Sequence, residues 1–205
     1  MLPSLIQTLA DRFLYRRGYF RMVDATSARS AGPMAESIVG AFAPARVIDY
    51  GCGTGSLLAA FRGHGIEVAG TEHSGVARRM CVAKGFDPLP LDLRCPPAEP
   101  PLGPADVAVS FEVAEHLPAA AAACFVGLLA ATAPIVVFGA ATPGQGGQGH
   151  VNEQPHDYWI EKFAGHGMAW DPPRSLAFRE AWRAAGVDFW YADNVMVFRR
   201  GTIPT

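Results

Sequence analysis

The stretch Val47-Ile48-Asp49-Tyr50-Gly51-Cys52-Gly53-Thr54-Gly55 constrains the fold of this chain more than any other. Its short apolar start reads as a buried parallel strand. Glycine at every second position then lets the backbone turn sharply and lie against a ligand. Helical spacing resumes over Ser56 to Phe61. Strand, tight loop and helix in that order open a parallel α/β sheet, a fold that binds ligands at the carboxyl ends of its strands. A pyrophosphate loop is written G-x-G-x-x-G. Here the spacing is G-x-G-x-G, and Asp49 stands just before it, a carboxylate that repels phosphate and attracts ammonium.

The rest of the chain keeps the same rhythm. Ile66 to Thr71, Phe86 to Leu91, Asp106 to Phe111 and Ile135 to Phe138 read as further strands, with helices over Val76 to Ala83 and Ala119 to Ala131. Two helices precede the sheet, one carried by Leu2, Leu5, Ile6, Leu9 and Phe13, the other by Met34, Ile38, Val39 and Phe42, with a break around Ser30 to Pro33. After the fifth strand, Thr142 to His150 alternates glycine with small polar residues and reads as a mobile loop. Pro155 to Phe163 and Leu176 to Ala185 look helical, and Val187 to Tyr191 with Val195 to Arg199 reads as a closing hairpin. The expected architecture is α/β: a doubly wound, mostly parallel seven-stranded sheet with a terminal antiparallel hairpin and N-terminal helices. One domain is expected over residues 1–205, with a helical cap over 1–43 and an acceptor-site loop over 142–160.

Composition limits the partners. Half of the 205 residues are hydrophobic and 18% are charged, enough apolar material for a buried core. A net charge of −2 gives no electrostatic footprint for a nucleic acid. The apolar stretch from Pro118 to Ala141 contains Pro134 and Gly139 and reads as helix then strand, so no membrane partner is expected. Arg12, Arg16 and Arg17 follow the first leucines without a cleavage signal, and Cys52, Cys81, Cys95 and Cys124 form no C-x-x-C pair. The reading is a cytoplasmic protein with reduced thiols. A homodimer is compatible with it, and the oligomeric state is left open.

VIDYGCGTG resembles the first motif of the class I S-adenosylmethionine-dependent methyltransferases: an apolar strand, an acid and a G-x-G-x-G loop. The resemblance implies S-adenosylmethionine as cofactor, with Asp49 on its amino acid part and Gly51, Cys52 and Gly53 beside it. Glu72, twenty-three residues after Asp49 at the end of the second strand, falls where such families place an acid on the ribose hydroxyls. Leu91-Asp92-Leu93 resembles the segment along the adenine ring, with Asp92 accepting from its amino group. Ala105 to Pro118, containing E-V-x-E-H-L, resembles the fourth motif and places Phe111 and Glu112 at the cofactor.

A sulfonium activates its own methyl group, so the protein has chiefly to align an acceptor and, where needed, remove a proton. His116 is the candidate general base; the alternative is a histidine that caps or packs its helix. His150 joins it as a catalytic candidate. Asn152, Gln154, His156 and Tyr158, in the polar and aromatic segment after the glycine loop, are expected to line the acceptor site or to hydrogen-bond that loop. Glu153 or Asp157 with His150 and His156 is a minority metal arrangement whose spacing matches no metal motif, and no metal is expected. Tyr15, Tyr19 and Phe20 either cover the cofactor or pack on the sheet. The expected function is methyl transfer to a small-molecule acceptor, guessed as a sugar or secondary metabolite. The alternatives are a nicotinamide-dependent oxidoreductase and a non-catalytic cofactor-binding module.

Overall fold

The structure is a computed structural model that describes residues 17–201, with side chains from Phe20 onward. The expected helix over Leu2 to Phe13 lies outside the described residues. In chain order the elements are α1 (Arg17–Phe42), β1 (Arg46–Tyr50), α2 (Ser56–Gly63), β2 (Glu67–Thr71), α3 (Gly75–Ala83), β3 (Val107–Phe111), α4 (Ala122–Thr132), β4 (Ile135–Gly139), α5 (His156–Ala164), β5 (Met168–Trp170), α6 (Pro172–Ala184), α7 (Phe189–Ala192) and β6 (Met196–Arg200). Two 3₁₀ turns, Ala114–His116 and Ala119–Ala121, lie between β3 and α4.

The strands form one mixed sheet in the order β2-β1-β3-β4-β6-β5. β1 to β4 are parallel; β6 runs antiparallel to both β4 and β5. Alternation along the strands serves both faces. Val47, Val107, Val109, Val137 and Val197 meet Ile38 of α1, Phe61 of α2 and Trp182 of α6. On the other face Ile48, Tyr50, Ala108, Val136 and Phe138 meet Phe125 of α4 and Trp159 and Phe163 of α5. The chain therefore winds both ways from the β1/β3 boundary, and a crevice opens there beyond the strands' carboxyl ends.

Three sequence expectations change. The third expected strand, Phe86 to Leu91, is reduced to one parallel bridge between Leu89 and Thr71; with Val187 to Tyr191 also lost as a strand and Met168–Trp170 gained as one, six strands form among the described residues instead of seven. Pro88 and Pro90 flank Leu89 and have no N–H to give a ladder, leaving only Leu89 to donate to Gly70 and accept from Glu72. The hairpin is also absent: Val187 to Tyr191 holds the helical turn α7, whose Tyr191 and Ala192 amides bond back to the Asp188 carbonyl. Asp188 is fixed by Ser30 of α1, 3.0 Å away, and β6 takes β5 as its antiparallel neighbour. Finally, α1 runs unbroken through Pro33, because Ala31, Met34, Ala35 and Ile38 are buried against the sheet. That burial outweighs the roughly 3 kcal/mol an interior proline costs.

Among the described residues, no helix is long and apolar enough to cross a membrane.

Candidate active site

The crevice deepens into a cavity of about 680 Å³. It is walled by the loops after β1, β2, β3 and β4, by α1 and by α7. Glycine geometry sets its floor. Gly51 has φ +84°, and a Cβ there would meet Val113 Cγ2 at 2.4 Å, so the loops after β1 and β3 pack through a missing side chain. Gly53 has φ +53° and nothing within 4 Å of its Cβ position, which leaves bare backbone beside open space. The Gly53 amide donates to Glu72 Oε2 at 3.0 Å and the Ser74 amide to Glu72 Oε1 at 2.6 Å, so Glu72 couples the two loops.

Asp49, at the end of β1, is 4% exposed, and its carboxylate meets no hydrogen-bond donor among the described residues. Burial and the neighbouring Glu72 push its pKa up to about 8. Burial likewise raises Glu72 to about 7, against the pull of the Ser74 and Gly53 amides. Two buried acids beside bare backbone, one of them without a donor, make a site for a ligand carrying positive charge. The ammonium and sulfonium of S-adenosylmethionine fit it; a pyrophosphate does not. Asp92 also lines the cavity, gripped by Arg94 through Nε–Oδ1 at 2.9 Å and Nη2–Oδ2 at 2.8 Å, which lowers its pKa. The Cys52 thiol lies against Gly70 and is pushed up by Cys81 and by burial, the behaviour of a packing residue.

Phe111 lines the wall with Tyr191 and packs edge-on against it and Trp182. Glu112 follows with φ +55°, an uncommon conformation for a side-chain-bearing residue. Its Oε2 accepts from Gln145 at 3.2 Å, and Gln145 accepts from Asn194 at 2.6 Å. Burial raises Glu112 to about 7. His116 reaches the cavity from the 3₁₀ turn, its Nδ1 3.2 Å from the Gly149 carbonyl and its ring edge-on to His150 at 4.9 Å. Burial lowers the His116 pKa, and His150 lowers it further.

The glycine-rich segment is pinned at many points. The Glu115 carbonyl accepts from Val151 and Asn152, and the Glu153 carboxylate accepts from Gly144, Gly146 and the His150 ring. The structure brings His116 and His150 together and keeps His156 apart, its Nδ1 facing Arg179 at 3.2 Å. Asn152, Gln154, His156 and Tyr158 do not line the cavity. Gln154 donates to Asn152 inside the loop, and Tyr158 packs on Trp159. Phe20 lines the wall; Tyr15 and the Tyr19 side chain lie outside the described residues. Gln145, Trp190 and Tyr191 are wall residues that the sequence reading passed over. Only Gln145 left a local signal, a polar side chain repeated between glycines.

A doubly wound sheet with a glycine loop and two cation-seeking acids at its switch point defines a Rossmann-like binder of S-adenosylmethionine. A methyltransferase domain family model matches residues 16–191, and the chain belongs to that family: it is a methyltransferase with S-adenosylmethionine as cofactor. Solved structures share the fold. The 1,6-didemethyltoxoflavin-N1-methyltransferase of Burkholderia thailandensis, solved with its acceptor and S-adenosylhomocysteine, superposes with a TM-score of 0.66 at 16% identity, covering 98% of this chain and 92% of that one. DesVI of Streptomyces venezuelae gives 0.65 at 13% identity over 90% of this chain and 96% of its own. The mitomycin 7-O-methyltransferase gives 0.63 at 18% identity, and this chain, covered over 89%, spans only 56% of that enzyme. No curated protein matches the sequence.

Proposed function

We propose that this protein transfers the methyl group of S-adenosylmethionine to an oxygen or nitrogen of a small molecule, with His116 as the general base. The observation that carries the reading is the cavity itself. It runs from the donor-less carboxylate of Asp49 to the His116 and His150 imidazoles, and its 680 Å³ lies in the range of small-molecule sites. Asp49 would take the cofactor's ammonium and Glu72 its ribose hydroxyls, with the Gly51 to Gly53 backbone alongside. Asp92 would face the adenine end. Phe111 and Glu112 line the same cavity. An acceptor held there donates a lone pair to the methyl carbon, the S–C electron pair returns to sulfur as S-adenosylhomocysteine, and the acceptor's proton leaves toward His116.

Structural relatives named for a toxoflavin precursor and for mitomycin are consistent with a natural-product acceptor. Asn152 and Gln154 anchor the end of the glycine-rich segment, Asn152 donating to the Glu115 carbonyl and Gln154 to the Ala141 carbonyl and to Asn152. The test is methyl transfer from labelled S-adenosylmethionine to a panel of amino sugars, phenols and nitrogen heterocycles, with His116→Ala alongside. Labelling of panel members, reduced by about 10²-fold or more in the variant, is the expected result. Labelling of RNA or protein with every small molecule inert would overturn the reading, and full turnover by His116→Ala would remove the base.

A further inference from the structure

Four aromatic side chains form a continuous run of ring contacts along the wall made by β3 and α7. Phe189 meets Trp190 edge-on with ring centroids 5.0 Å apart, Trp190 meets Tyr191 at 6.1 Å, and Tyr191 meets Phe111 edge-on at 6.2 Å. All four line the cavity. Phe111 rests on the buried Trp182, so one end of the run is anchored in the core, while Phe189 at the other end is 58% exposed. Core packing accounts for the first ring and not for the last. An exposed aromatic ring continuous with a concave site is a ligand-contact surface.

The support of these rings is fixed. The Asp188 carboxylate accepts from the Ser30 hydroxyl of α1 at 3.0 Å, and the Asp188 amide donates to the same oxygen at 3.1 Å. Aromatic side chains held this way offer a large contact area at a small cost in conformational freedom.

Charge and hydrogen bonding narrow the ligand further. Asp49, Glu72, Asp92 and Glu112 all line the cavity, whereas Arg94 is the only lysine or arginine that does so among the described residues. Arg94 is engaged with Asp92 through Nε–Oδ1 at 2.9 Å and Nη2–Oδ2 at 2.8 Å. An anionic acceptor would bring its charge among carboxylates, a juxtaposition that rejects it. A sugar needs polar side chains in proportion to its hydroxyls. On this wall Gln145 is already bonded to both Glu112 and Asn194.

We propose that the acceptor is a planar aromatic molecule without phosphate, sulfate or carboxylate groups, and that its ring lies against the Phe189 to Tyr191 face of α7. The inference rests on the methyl-transfer reading and names its substrate class. Phenols, anilines and nitrogen heterocycles are taken; sugars, and acceptors carried on a nucleotide or other phosphate group, are refused. Offset or edge-on contact with Trp190 and Tyr191 adds to the burial of the acceptor's ring. The acceptor's oxygen or nitrogen lone pair forms the new bond to carbon, the S–C electron pair stays on sulfur, and the acceptor's proton leaves toward His116. α7 is thereby the specificity element of the site, and Phe189 and Trp190 are its positioning residues.

The test uses full-length protein saturated with S-adenosylhomocysteine. Dissociation constants for naphthol, hydroxyquinoline, naphthyl phosphate and glucosamine are measured by ligand-observed NMR, in the wild type, Trp190→Ala, Trp190→Phe and Phe189→Ala. Naphthol and hydroxyquinoline should bind, naphthyl phosphate about 10-fold more weakly or worse, and glucosamine not at all. Naphthol affinity should fall about 3- to 10-fold in Trp190→Ala, fall less in Phe189→Ala, and be largely kept in Trp190→Phe, which retains a ring. Phe189→Ala, at an exposed ring, should leave the melting temperature and S-adenosylhomocysteine affinity unchanged. Failure of both aromatic probes to bind, binding of glucosamine or naphthyl phosphate as tight as that of naphthol, or a naphthol affinity indifferent to both alanine substitutions overturns the aromatic acceptor and leaves methyl transfer in place. Absence of S-adenosylhomocysteine binding in the wild type is the separate outcome that would sink the methyl-transfer reading.

Discussion

Asp49 shows at the scale of one residue what a buried carboxyl does to the pH dependence of a fold. Its ordinary carboxyl pKa of 3.8 rises to about 8, and that of Glu72 from 4.5 to about 7. In the unfolded chain both protons leave near pH 4, whereas the folded chain keeps them to pH 7 or 8. Their contribution to stability is thus fully present below the unfolded values and is lost as pH rises through the folded ones. The melting temperature of the apo protein should therefore fall from about pH 5.5 to about pH 8.5 on account of these groups. An ammonium beside Asp49 favours the ionised form, so the stabilisation gained from S-adenosylhomocysteine should grow over the same interval. A gain that shrinks with pH would remove Asp49 from the ammonium site. Asp49→Asn should raise apo stability and weaken S-adenosylhomocysteine by about 10- to 100-fold, the worth of a charge-assisted contact of roughly 1.5–3 kcal/mol, as calorimetry would show. Gly51→Ala drives a methyl into Val113 and should cost about 1–3 kcal/mol in denaturant unfolding. Gly53→Ala opens onto empty space, so its larger effect should be on cofactor affinity.

At the scale of elements, the departures from local signals have identifiable causes. α1 carries Pro33 in its interior because its buried face is worth more than the backbone hydrogen bond the proline removes. Pro33→Ala should raise stability by about 1–3 kcal/mol in urea unfolding, and a neutral or negative change would mean the proline serves the helix's packing. The glycine-rich loop owes its shape to the Glu153 carboxylate, which collects two amides and a histidine. Glu153→Gln keeps the size but gives up the charge, and limited proteolysis should then cut between Thr142 and His150 faster than in the wild type. An unchanged digestion pattern would place the restraint in the Glu115 carbonyl contacts.

Across the whole molecule, the parallel core was legible in the sequence while its closing edge was not. Apolar runs, helical spacing and the glycine loop are local patterns, and they fixed β1 to β4, α2 to α6 and the places of Asp49, Gly53 and Glu72, because a buried parallel strand or an amphipathic helix writes its period into adjacent residues. Phe189-Trp190-Tyr191 carries strand-forming residues, and only its position under α1, with Ser30 on Asp188, made it a helical turn that presents Trp190 and Tyr191 to the cavity. Likewise Glu115, His116 and His150 are thirty-five residues apart in sequence at most, and no periodicity joins them. Their meeting depended on the register of β3 against β4, which sets the loop after β4 over the turn after β3. Contacts between loops from different strands are decided by the sheet that carries them, so the sequence by itself determined the α/β class and the glycine loop with its flanking acids, and the tertiary structure alone decided which side chains of the later loops meet.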